Sequence, residues 1–88
     1  MYAAEYIGYQ DCVEQTSTIL EGLGKADVKP RVQALVRRGA ASARLGNYSA
    51  GIADYQDALQ LVEDPRVRAN MDAMIREAAT AQGGMARR

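Results

Sequence analysis

Cys12 is the lone cysteine of a chain that contains no histidine. The side chain that most often carries general acid–base work is therefore missing, and so is any Ser/His/acid or Cys/His set. Cys12 lies between Asp11 and Glu14, a setting that disfavours its thiolate, so it reads as a packed structural cysteine. Asp54 and Asp57 stand one turn apart on a helical pattern, which reads as a solvated face rather than a catalytic pair. No Gly-rich phosphate loop joins a strand to a helix. These residues point away from an enzyme, a cofactor or a metal site, and the catalytic, cofactor and metal sets are expected to be empty. What remains is recognition. Gln33, Arg37, Ala40 and Arg44 recur at helical spacing, so they share one stripe. Two guanidinium groups among small side chains suit a carboxylate.

The elements that must carry this stripe can be read from periodicity. Tyr2, Tyr6, Tyr9, Val13, Ile19, Leu20 and Leu23 mark one face of a first helix. The Thr16-Ser17-Thr18 run is its weak point, where a break or kink is expected. Asp27 is the expected N-cap of a second helix, with Pro30 in its first turn and Gly46 as the left-handed residue beyond its end. Asn47 and Ser49 offer caps for a third helix, with Ile52, Tyr55, Leu59 and Val62 as its inner face. Asp64-Pro65 opens a fourth, with Val67, Met71, Met74, Ile75 and Ala78 turned inward, ended near Ala81 by Gly83-Gly84. No stretch alternates as a strand does, so the fold is all-α, with antiparallel helices on short loops. The segments are a helix over 1–24, a hairpin over 27–62, a closing helix over 64–82 and a flexible tail over 83–88.

At 88 residues the chain is one small domain with a thin core. Its filling is aliphatic and Tyr-based, without Trp or Phe. Net charge is zero, so bulk electrostatics favour neither nucleic acid nor an anionic membrane. The charges are banded all the same. Helix one carries Glu5, Asp11, Glu14 and Glu21 and no base, helix two carries Arg31, Arg37, Arg38 and Arg44, and helix three returns to acid. In one reading these bands meet only as rim pairs, each contributing about 0–1 kcal/mol, with Arg37 and Arg44 held by acids of helix one. A single cysteine and no apolar run of membrane length predict a cytoplasmic protein.

Leu35, Gly39, Leu45, Gly46, Tyr48, Gly51, Tyr55, Ala58, Leu59 and Pro65 together resemble a tetratricopeptide repeat. That motif is a helical hairpin of about 34 residues that stacks into a right-handed solenoid. Ser42 and Arg38 depart from its usual large apolar residues, and Pro65 comes two residues late. Helix one then corresponds to the second half of a preceding repeat, and helix four to a cap. Arg37-Arg38-Gly39 with the Gly-x-Tyr turn and Asp54-Tyr55 is similar to the co-chaperone members of the family, axonemal dynein assembly factors among them. The resemblance implies binding of a heat-shock chaperone's acidic C-terminal tail, in cytoplasm or cilium. In those members a Lys and an Arg one turn apart grip the tail. Arg37 matches the Arg, but Gln33 stands where the Lys would be.

Two alternatives stay open at this point. The chain could be a structural or assembly subunit that associates with itself through Tyr2, Tyr6 and Tyr9. It could also be a plain four-helix bundle with no groove, in which helix one would pack directly on helix four.

Overall fold

In the computed structural model the chain is described over residues 3–86, with side-chain surroundings over 7–83. It forms four helices, α1 (Ala3–Gly22), α2 (Val28–Arg44), α3 (Tyr48–Leu61) and α4 (Pro65–Ala86), and no strand among the described residues. The extensive interfaces are those between sequence neighbours, with α2 against α3 the closest and α3 against α4 the lightest. A closed bundle would add a broad α1–α4 interface. The hairpins are instead laid side by side in an elongated body, 42 × 28 × 16 Å.

The α2–α3 crossing explains why two glycines face each other. A Cβ on Gly39 would lie 2.8 Å from a Tyr55 ring carbon, and one on Gly51 would lie 2.8 Å from the Gly39 carbonyl oxygen. Both contacts are closer than atoms tolerate, so the helices approach at a distance only glycine permits. The turn between them is made by Gly46, whose φ of +85° is the one positive value among the described residues. Leu35, Ala58 and Met71 centre the core, with Leu20 from α1 and Val32, Val36, Leu59, Leu61 and Val62 packed around them. Ala58 is fully buried.

Several local expectations are corrected. The Thr16–Thr18 run does not break α1, and its two threonine hydroxyls bond back to their own helix. Thr16 Oγ1 donates to the Cys12 carbonyl at 2.6 Å and Thr18 Oγ1 to the Glu14 carbonyl at 3.1 Å. Asp27 does not cap α2. Its carboxylate accepts the Gly24 amide at 2.9 Å and so closes the α1–α2 loop. Asn47 makes no side-chain cap either, and the Ser49 hydroxyl accepts a hydrogen bond from the Gln82 amide at 2.8 Å. Asp64 does cap, accepting the Arg66 amide at 2.9 Å. Gly83-Gly84 does not end α4, which continues to Ala86 because no residue there takes the left-handed conformation. The expected tail over 83–88 is therefore helical through 86. Val67 is exposed rather than inward.

A repeat appears that the periodicity of apolar residues hides. Arg31 donates to the carbonyls of Leu23 and Gly24, at 3.3 and 3.1 Å. Arg68 donates to those of Leu59 and Val62, at 2.9 and 2.8 Å. In each hairpin the fourth residue of the incoming helix donates to two carbonyls at or just beyond the end of the outgoing one. The same sequence offset relates Asp27 to Asp64, Ala34 to Met71 and Ala41 to Ala78. All four residues of the last two pairs are buried.

Candidate functional site

The stripe expected on α2 forms, but its neighbours change along its length. Gln33 and Arg37, at the N-terminal end, are exposed. With Pro30 and Ala34 they border a shallow hollow of about 130 Å³ against Thr16 and Ile19 of α1. Ala40 and Arg44, toward the C-terminal end, border a different and larger space. This is an open cleft of about 470 Å³ with Ala40, Ala43 and Arg44 on the α2 side and Met74, Glu77, Ala78 and Ala81 on the α4 side. Tyr48 and Tyr55 of α3 line it as well. The two arginines thus serve two separate depressions rather than one.

The cleft exists because α2 and α4 both pack on α3 without packing broadly on each other. Small residues at Ala40, Ala43, Ala78 and Ala81 leave the space between them unfilled. Tyr55 is 4% exposed, held under the cleft by the close crossing at Gly39. Burial pushes its phenol above the ordinary value, with Arg44 opposing that shift and Asp54 and Glu77 adding to it. Gln82 bonded to Ser49 ties α4 to α3 at the end of the cleft next to Ala81 and Tyr48.

Asp54 corrects the expectation of a solvated acidic face. It is 6% exposed, while Asp57 one turn on is exposed. Arg38 reaches across from α2 and binds it in fork geometry, Nε to Oδ2 at 2.8 Å and Nη2 to Oδ1 at 2.7 Å. A third guanidinium nitrogen, Nη1, donates to Ser17 Oγ at 3.2 Å, so one arginine joins three helices. The hydrogen bonds to Asp54 hold the Arg38 guanidinium above its ordinary value. The signal that could have found this pair was α3's rotation. Its buried face is Gly51, Asp54, Tyr55 and Ala58, while Ile52, Leu59 and Val62 are half-buried.

No such partner holds the other two. Among the described residues neither Arg37 nor Arg44 makes an ion pair, so the expected pairing with acids of α1 is not found. Cys12 is half-buried and its thiol points to the Arg37 carbonyl at 3.9 Å, as a packed cysteine does. Tyr9 is half-buried, on the same side of α1 as Thr16. Tyr2 and the Tyr6 side chain lie outside the described residues. No helix among the described residues is long and apolar enough to cross a membrane. No protein-family model, no curated protein and no solved structure matches this chain.

Proposed function

We propose that the chain is a non-enzymatic binding module that takes a peptide segment of another protein along α2 and between α2 and α4. The observation that carries this reading is the open cleft of about 470 Å³, walled by alanines, lined by two tyrosines and edged by Arg44, which makes no ion pair among the described residues. Aromatic surface beside small residues accepts an apolar side chain, and a free guanidinium accepts a carboxylate. Arg37 and Gln33, further along the same helix, extend the stripe toward α1. A tetratricopeptide-like setting fits the close contact of Gly39, Gly51 and Tyr55. It makes a co-chaperone or an axonemal assembly factor, cytoplasmic or ciliary, the family-level form of the proposal.

The test is a titration of a labelled peptide ending in a Met-Glu-Glu-Val-Asp type tail. The chaperone-tail form requires the acidic tail to sit at Arg37 and Gln33, outside the α2–α4 cleft. Wild type should therefore bind it, and Arg37→Ala should bind it several-fold more weakly. Equal binding by both proteins, or none by either, removes the chaperone-tail form of the proposal.

A second reading, assembly through helix faces, has one observation in its favour. Ile7 is 57% exposed and Ile19 49% exposed, both on α1. Sedimentation across a wide concentration range decides it, since a monomer at the highest concentration removes self-association.

A further inference from the structure

The cleft between α2 and α4 is not uniformly basic. Arg44 stands on its α2 side and Glu77 on its α4 side, and both side chains are exposed. Neither forms an ion pair with the other, nor does Glu77 pair with Arg76 beside it, among the described residues. Both line the same cleft as the buried Tyr55 ring. The same lining holds Ala40, Ala43, Ala78 and Ala81, which offer apolar walls, with Tyr48 and the buried Tyr55 on the α3 side.

A ligand bringing only carboxylates would satisfy Arg44 and crowd Glu77. Like charges brought together in a partly desolvated cleft oppose binding, so the acidic wall acts against such a ligand. A ligand bringing only bases meets the mirror-image difficulty. We infer that the cleft selects a segment of another protein with mixed charge: an apolar side chain seated between the alanines, an acidic group toward Arg44 and a basic group toward Glu77. Glu77 is thereby a specificity-determining residue. The inference rests on the binding reading above and narrows the ligand class that the reading leaves open.

The experiment is selection from a displayed library of random dodecamer peptides, followed by titration of the enriched peptides as labelled synthetic copies. Three proteins are compared: wild type, Glu77→Lys and Arg44→Glu. Both positions are exposed, and circular dichroism confirms that each variant keeps its helices. Wild type is expected to enrich peptides with an apolar residue flanked by one acid and one base. Replacing that base by Ala should weaken binding about two- to fivefold, the weight of one exposed pair. Glu77→Lys should reverse the preference toward wholly acidic peptides, and Arg44→Glu toward wholly basic ones. Enrichment of acidic peptides by wild type, with Glu77→Lys binding them no better, overturns the inference and leaves the binding module standing. Enriched peptides indifferent to both substitutions overturn it equally, because the site then lies elsewhere. No enrichment by any protein overturns the inference and the binding reading together.

Discussion

At the scale of single residues, the Arg38–Asp54 pair, with Ser17, links α1, α2 and α3 through side chains. Asp54 is nearly out of solvent and has its fork of donors from Arg38. Truncating one partner leaves the other with an unmet charge, so Asp54→Ala should cost about 2–3 kcal/mol in urea unfolding. The double change Arg38→Met with Asp54→Leu removes both charges and should recover most of that loss. If the double variant is as unstable as the single one, packing rather than charge explains the site. Tyr55 gives the pH counterpart. Its phenol is raised by burial, so the folded state holds the proton at a pH where the unfolded chain releases it. The stabilisation is complete below a pH of about 10, the ordinary tyrosine value, and falls as pH rises above it. Tyr55→Phe has no proton to lose there. Its unfolding free energy should decline less between neutral and strongly alkaline pH than that of wild type.

At the scale of elements, the arginine staples are the economical device. Arg31 and Arg68 each hold two carbonyls at or just beyond the end of the helix before them. Arg68→Met keeps the aliphatic stem and loses both bonds, and should cost about 1 kcal/mol. Arg66→Met, on the same helix but without such a carbonyl contact, should stay within about 0.5 kcal/mol of wild type. What was legible in the sequence follows from which signals are local. Gly46 and Asp64-Pro65 state their backbone requirement in two residues, and both turns lie where they were expected. Gly39 and Gly51 were legible as members of the repeat-like set, and the close crossing is what requires their small size. Asp54 was not, because α3 packs on two neighbours and its most buried line falls one residue away from its most apolar line. The staples escaped for a similar reason: an arginine near a helix start looks like solvated surface until the preceding helix end is in place. The candidate site was legible only as a line along one helix. The stripe Gln33, Arg37, Ala40 and Arg44 is real on α2, but only its C-terminal half meets α4, and Glu77 could not be seen without that meeting.

At the scale of the whole molecule, stability should be graded along the array rather than shared evenly. The α2–α3 interface is the closest, and it holds the Gly39–Gly51 crossing, Tyr55 and the fully buried Ala58. Helix α1 packs on α2 alone among its broad contacts, and Ile7, Gly8, Gln10 and Asp11 are all exposed. In an array of neighbours, a helix with one packed side opens without carrying the rest with it. Amide hydrogen exchange therefore has a definite expected order. The central turns of α2 and α3 exchange slowest, α4 is intermediate, and residues 7–11 of α1 exchange fastest. A closed bundle gives a different order, because α1 and α4 would shield each other and exchange at nearly the rate of the central pair. Protection of α1 equal to that of α2 would thus count against the open array, and with it the gap between α2 and α4 that forms the cleft. Adding the mixed-charge peptide sharpens the same measurement. Slowed exchange should appear around Arg44 and Glu77 and leave α1 unchanged, since a ligand protects what it covers and what must close upon it.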